Sequence, residues 1–251
     1  MKSIPGIQQI VTPGNNLVFR LQGRDRSKGI VALAAHLDKI NHYGKSYPET
    51  LPVNRNEKYI EGIMDDCTGV GILMALAGQF YKYEFPDLLF YFSEMEESKG
   101  LREHPELLKN SGEGYESGMG AKRIAQISLD RSLIPDEVIT IDTTPLFKGK
   151  PGVALYAKHW EYNGLKPSEK LKAQTQSVIQ KIISIDPSVQ IANNTNDYLH
   201  YGRAFNESGD HTVVSIALEP AIFPYHQKKE RVFIEDIRRV INILVSYLMS
   251  K

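Results

Sequence analysis

Apolar side chains follow two different spacings along this chain. Some apolar runs are short and nearly continuous, which is typical of buried strands, whereas other segments place an apolar residue at every third or fourth position, which is typical of amphipathic helices. The predicted strands span residues 16–22, 30–35, 88–92, 137–141, 152–157, 189–192 and 212–218, and the main predicted helices span about 70–83, 121–129, 168–184 and 234–249. Because strands alternate with helices, we predict an α/β fold, a three-layer α/β/α sandwich with a mixed, mostly parallel central sheet.

In three segments the apolar residues show no regular spacing. Residues 41–60 are polar and rich in Tyr, Pro and Asn, and we predict a long loop over the strand ends, either a cover for a substrate or irregular packing. Residues 98–135 contain a helical fragment at 101–108 and a Gly-rich stretch at 111–120, which is predicted to be an exposed loop or flap. Residues 193–209 are predicted to form a polar loop.

The composition is close to that of an average globular protein. With 251 residues, 41% of them apolar and 24% charged, the chain can bury a sizeable core, and we expect one domain over residues 1–251. Thirty basic residues balance thirty acidic ones, which gives no electrostatic footprint for nucleic acid or for an anionic membrane. The first residues lack the apolar core of a signal peptide, and no segment approaches the length of a membrane span, so we expect a cytoplasmic protein.

The candidate chemistry lies where predicted strands end. The strand at 88–92 is followed by an adjacent pair of glutamates, and other His and carboxylate groups also follow apolar runs. Taken singly, each has an ordinary explanation, such as a solvated charge, a packed histidine or a helix N-cap. Because parallel sheets gather ligand-binding residues at the carboxyl ends of their strands, we expect these groups to converge. They are His36, Asp38, Asp65, Asp66, Glu96, Glu97, Asp142 and His226.

Cys67 is the single cysteine of this chain, and one cysteine is too few for a cysteine-based zinc site. Any metal ion would therefore be held by His, Asp and Glu. Five converging ligands are too many for one tetrahedral zinc that keeps a water, and they suit two metals that share a carboxylate. Three carboxylates against two divalent cations leave one positive charge, which a bridging hydroxide would neutralise. Glu96, adjacent to a ligand but spare, is then free to move a proton from water to a leaving amine. The five candidate ligands are His36, Asp65, Glu97, Asp142 and His226.

Five short motifs, in this order, resemble those of the dinuclear zinc exopeptidases. This clan includes leucyl, deblocking and glutamyl aminopeptidases together with zinc carboxypeptidases and acyl-amino-acid deacylases. The motifs are His36-Leu-Asp38, Met64-Asp-Asp-Cys-Thr-Gly69, Phe92-Ser-Glu-Met-Glu-Glu97, Ile141-Asp142 and Pro224-Tyr-His226.

The resemblance implies a role for each matching residue. It implies that one zinc is held by His36 and Asp142, the other by Glu97 and His226, and that Asp65 bridges them. Further implications are a general base at Glu96, an orienting contact from Asp38 to His36, and a cis peptide bond between Asp65 and Asp66. Cobalt or manganese would be held by the same donors. These roles belong to His36, Asp38, Asp65, Glu96, Glu97, Asp142 and His226.

This chain departs from the pattern of the clan in two ways. It has a long insertion between Glu97 and Asp142, and it has no room for an inserted lid or dimerisation domain. A bare catalytic domain favours the aminopeptidases of the clan. We therefore expect cleavage of N-terminal residues from peptides, by attack of a metal-bridging hydroxide. A deacylase or other amidohydrolase with the same site is the alternative, and a non-catalytic binding module is a second one. Tyr201 and Arg203 are candidate substrate contacts, with Arg203 suited to a substrate carboxylate. The expected partner is a peptide or small amide, and the oligomeric state is left open.

Overall fold

A central sheet of eight strands and a separate sheet of three form the framework of the molecule. The structure is a computed structural model that describes residues 1, 3–39, 53–80, 85–97, 117–193, 196–227 and 229–251. The strands are β1 (Ile7–Ile10), β2 (Leu17–Leu21), β3 (Ile30–His36), β4 (Asn54–Arg55), β5 (Tyr59–Gly62), β6 (Asp87–Ser93), β7 (Glu137–Ile141), β8 (Val153–Tyr156), β9 (Gln190–Ala192), β10 (Val214–Pro220) and β11 (Glu230–Phe233).

The central sheet has the strand order β1-β2-β6-β3-β7-β10-β8-β9. Its four middle strands, β6, β3, β7 and β10, run parallel. The pairs β1–β2, β2–β6 and β8–β10 are antiparallel, and β9 pairs in parallel with β8. All seven residues of β6 and all seven of β10 are buried, because both faces of the sheet are covered. The prediction of a mixed, mostly parallel sheet is confirmed.

Helices cover both faces of this sheet. They are α1 (Cys67–Phe80), α2 (Met119–Asp130), α3 (Trp160–Asn163), α4 (Glu169–Ile185), α5 (Asp197–Asn206) and α6 (Ile234–Met249). On one face, the core joins the sheet to Leu76 of α1, Ile179 of α4 and Leu244 of α6. On the other face, Ile124 of α2 and Phe205 of α5 pack on the sheet. The three-layer α/β/α arrangement is therefore confirmed, and among the described residues no helix has the length and apolar character needed to cross a membrane.

The small sheet was not predicted. It has the antiparallel order β11-β5-β4, and it pairs Tyr59–Gly62 with Glu230–Phe233. The prediction of a loop over residues 41–60 is thus wrong for 54–55 and 59–60, which form strands, while residues 40–52 lie outside the described residues. The strand pairing was not predicted because β5 finds its partner in a segment far along the chain.

The predicted polar loop at 193–209 is also wrong, because residues 197–206 form α5. Asn196 caps this helix through its side-chain oxygen, which accepts the N–H of Tyr198. Tyr198, Tyr201 and Phe205 recur at helical spacing and are fully buried, so packing of an apolar stripe stabilises the helix although most of the segment is polar. The predicted fragment 101–108 and the Gly-rich stretch 111–116 lie outside the described residues.

We expect the layer formed by α1 to contribute strongly to stability. Leu76 is 0% exposed on this helix, whereas Met74 is 50% exposed. Replacing Leu76 with Ala leaves a cavity and should lower the free energy of unfolding by about 2–5 kcal/mol. The matched control Met74→Ala should change it by less than about 0.5 kcal/mol, since its side chain is at the surface. Urea unfolding followed by circular dichroism measures both values, and equal effects would contradict this packing.

Candidate active site

All five predicted ligands meet at the carboxyl edge of the parallel strands. His36 is the last residue of β3, Asp142 directly follows β7, and Glu97 follows the end of β6. The other two come from loops next to the small sheet: Asp65 lies between β5 and α1, and His226 lies between β10 and β11. Two sheets therefore supply the site.

Asp65 joins two groups of donor atoms. In the first group, His36 Nε2 lies 3.1 Å from Asp65 Oδ1 and 3.6 Å from Asp142 Oδ1. In the second group, His226 Nε2 lies 3.1 Å from Asp65 Oδ2 and 3.0 Å from Glu97 Oε1. We call these the His36 cluster (His36, Asp65, Asp142) and the His226 cluster (Asp65, Glu97, His226). Each cluster uses a different oxygen of the same carboxylate.

Burial and the contacts between histidines and carboxylates oppose each other in setting the pKa values of these groups. It raises the pKa of Glu97 and of Asp142 above the ordinary carboxyl values. Burial by itself would also raise the pKa of Asp65, but hydrogen bonds to His226 and His36 lower it strongly. Burial would lower the pKa of His226, yet its contacts with Asp65 and Glu97 raise it to about 9. The site thus concentrates negative charge that favours cations.

The donor sets of both clusters fit divalent metal ions. Each cluster offers one imidazole nitrogen, one carboxylate of its own and one oxygen of Asp65. Three protein ligands of this kind leave a coordination position open, as catalytic zinc sites do. A cation in each cluster would also compensate the buried carboxylates, whose charged forms are otherwise disfavoured.

Glu96 lies beside both clusters. One of its carboxylate oxygens is within 4.8 Å of ligand atoms of His36 and Glu97, and the residue is half-buried. Its backbone is held at both ends, because its N–H donates to Asp38 Oδ1 at 3.0 Å and its carbonyl oxygen accepts the Ser117 hydroxyl at 2.9 Å. Burial and the neighbouring carboxylates raise the pKa of Glu96 well above its ordinary value.

Asp38 contacts His36 differently from the expectation. His36 Nδ1 makes its hydrogen bond to the backbone carbonyl oxygen of Asp38 at 2.9 Å, while Asp38 Oδ1 is 3.7 Å from this nitrogen. The Asp38 carboxylate accepts the backbone N–H groups of Glu96 and Glu97, the latter at 2.8 Å. Asp38 therefore orients the imidazole with its backbone and holds the glutamate pair with its side chain.

Asp66 holds the other side of His36. The peptide bond between Asp65 and Asp66 is cis, as the resemblance implied. Asp66 accepts the backbone N–H of His36 at 3.3 Å through one oxygen and that of Gly69 at 2.7 Å through the other. A Cβ at Gly69 would lie 2.4 Å from Asp66 Oδ2 and 2.5 Å from the Ile141 carbonyl oxygen, so only glycine fits there.

Two buried acids next to the site were not predicted. Glu219 lies near the end of β10, is 0% exposed, and accepts a hydrogen bond from the Asn196 side chain. Asp197 begins α5 and accepts the Ser93 hydroxyl, and burial raises its pKa to about 7. Glu219 could have been found, because it directly follows the predicted apolar run at 212–218. Asp197 could not, since its segment was interpreted as a loop.

The structure buries one predicted substrate contact, Tyr201, and exposes the other, Arg203, on α5. Tyr201 is completely buried, and its ring stacks on Tyr91 with centroids 5.6 Å apart, so it has no surface for a substrate. Arg203 is exposed on α5, where its guanidinium pairs with Glu207 at 2.9 Å.

The sequence model of peptidase family M28 matches residues 16–239, which include every residue of both clusters. No curated protein matches the chain significantly.

Solved structures share the fold. A TET aminopeptidase from a marine-sediment Thaumarchaeota archaeon is 13% identical, with a TM-score of 0.63 over 96% of this chain and 86% of that one. The Pyrococcus horikoshii TET1 peptidase is 13% identical, with a TM-score of 0.61 over 98% and 91% of the two chains. Aminopeptidase PepT from Bacillus cereus is 11% identical, with a TM-score of 0.60 over 98% and 90%. At these identities the likeness is one of fold alone.

The sharing of Asp65 leads to a prediction about metal content. Asp65→Ala removes a donor from both clusters and should reduce bound zinc from about two ions per chain to fewer than one. Asp142→Ala removes a donor from the His36 cluster only and should leave about one ion. Elemental analysis after equilibration with zinc and removal of the excess measures the ratio. Equal losses in the two variants would contradict a shared carboxylate.

Proposed function

Since this chain belongs to peptidase family M28, we propose that it is an aminopeptidase that requires two divalent metal ions. The observation that carries the proposal is the sharing of Asp65 between two clusters that each contain one histidine. We assign one ion to the His36 cluster and one to the His226 cluster. Zinc suits the imidazole and carboxylate donors, and cobalt and manganese are compatible with them. Bound in these clusters, the ions would polarise the scissile carbonyl and lower the pKa of a water molecule.

Glu96 is the residue that we assign to proton transfer. It belongs to neither cluster, yet its carboxylate lies beside them, and Asp38 and Ser117 fix its backbone. From this position it would accept a proton from the attacking water and return it to the leaving amine.

The acidic groups around the clusters support a substrate with a free amine. The carboxyl groups of Glu219 and Asp197 are buried next to the clusters, and burial raises the pKa of both, for Asp197 to about 7. Carboxyl oxygens accept hydrogen bonds from a substrate ammonium group, whereas they offer no cation to bind the carboxylate of an acylated amino acid. Arg203, which would have suited a carboxylate, pairs with Glu207 instead. These observations favour an aminopeptidase over a deacylase.

Glu96→Gln tests the assigned base. This isosteric change removes proton transfer but leaves both clusters intact, so bound metal should stay at about two ions per chain while kcat falls by about 10²–10⁴-fold. The exposed Glu207→Gln is the matched control and should leave kcat unchanged. Full activity of Glu96→Gln would refute the assigned role.

A substrate panel tests the substrate class. We expect hydrolysis of aminoacyl 4-nitroanilides with a free amine, and at least about 100-fold lower kcat/KM for their N-acetylated counterparts, a difference of about 2.7 kcal/mol. Release of free amino acids from N-acetylated amino acids would instead indicate a deacylase. A protein that binds two metal ions but hydrolyses neither class would be a binding module.

A further inference from the structure

Glu230 contacts the backbone of Asp65, the residue that both clusters share. It is the first residue of β11 and is 1% exposed. Its Oε2 atom accepts two consecutive backbone N–H groups, from Met64 at 2.9 Å and from Asp65 at 3.2 Å. We propose that Glu230 is a positioning residue that fixes the backbone of Asp65 and thereby sets the geometry of both clusters. This inference rests on the metal centre proposed above.

Asp65 needs such support because each of its oxygens has a different task. Oδ1 lies 3.1 Å from His36 Nε2, and Oδ2 lies 3.1 Å from His226 Nε2. A rotation of the backbone at Asp65 would move both oxygens together and weaken both clusters at once. The residue lies beyond the end of β5, so the ladder of β5 does not hold it directly. The hydrogen bonds from the Met64 and Asp65 N–H groups to Glu230 fix the backbone at this point instead.

Glu230 also connects Asp65 to the segment that carries His226. Phe223 and Arg231 exchange reciprocal backbone hydrogen bonds at 3.0 and 3.1 Å. His226 and Glu230 lie between these two residues in the sequence, and Glu230 pairs with Gly62 in the register of β11 and β5. One side chain therefore ties together the two segments that the small sheet contributes to the site.

The N–H groups of Met64 and Asp65 require an oxygen acceptor, and they do not require a negative charge. Glu230→Gln keeps a carbonyl oxygen that can accept both, whereas Glu230→Met has a similar size and no acceptor, which leaves two buried donors unpaired. Glu61 offers a matched control on the same sheet. It lies on β5, is 8% exposed, and accepts hydrogen bonds from Arg231 at 2.7 Å and from Asn54 at 3.3 Å.

The experiment measures zinc affinity by competition with a chromophoric chelator, together with hydrogen exchange of the peptide that contains Met64 and Asp65. Glu230→Met should bind zinc about 10–100-fold more weakly than the wild type and exchange these amides faster. Glu230→Gln should stay within about threefold of wild-type affinity, since its oxygen replaces the carboxylate oxygen. Glu61→Met should keep wild-type affinity and wild-type exchange at these amides even if it lowers the melting temperature.

Wild-type affinity in Glu230→Met would overturn the role of Glu230 alone. An equal loss in Glu61→Met would also overturn it, because the effect would then come from general weakening of the small sheet. If the wild type binds no zinc, the proposed metal centre fails, and this inference fails with it. Should Glu230→Met not fold, Glu230→Asp gives the same test, because the shorter side chain withdraws the acceptor and should bind zinc at least about tenfold more weakly than Glu230→Gln.

Discussion

Burial of carboxylates at one edge of the central sheet is the constraint on which the rest of the site depends. Asp65, Glu97 and Asp142 are 5%, 7% and 6% exposed, and an ionised carboxylate removed from water is costly unless positive charge or hydrogen-bond donors compensate it. His36 and His226 supply part of that compensation. The donor geometry is arranged so that two divalent cations could supply the remainder.

Backbone N–H groups give a second form of compensation and also join the loops. Asp38 accepts the N–H groups of Glu96 and Glu97, Asp66 accepts those of His36 and Gly69, and Glu230 accepts those of Met64 and Asp65. In each case a carboxylate from one segment holds the backbone of a ligand-bearing segment. Each contact gives buried N–H groups a side-chain oxygen acceptor, so these contacts orient the ligand-bearing segments as well as stabilising the fold.

The two sheets divide the candidate ligands between them. The parallel strands deliver His36, Glu97 and Asp142, while Asp65 and His226 come from the segments next to the small sheet. Neither sheet alone completes a cluster, because each cluster contains residues from both sources. Docking of the small sheet against the end of the central sheet is therefore a condition for both clusters, and metal binding would in turn stabilise that docking.

The sequence by itself determined much of the central sheet and the identity of the converging groups. Continuous apolar runs marked β3, β6, β7 and β10, and the rule that ligands follow parallel strands applied directly to His36, Glu97 and Asp142. These inferences succeeded because hydrophobic spacing and strand ends are local properties of the chain. The same rule would have applied to Glu219.

Only the tertiary structure decided which segments meet. Hydrophobic spacing reports that a face is buried, but it does not identify the partner. Neither the pairing of β5 with β11 nor the packing of Tyr201 of α5 on Tyr91 of β6 could therefore be predicted. The carboxylate of Asp38 binds N–H groups 58 and 59 residues away, and Glu230 binds one that is 165 residues away. Such contacts exist only after the chain has closed on itself, because nothing in the neighbouring sequence of either partner specifies them.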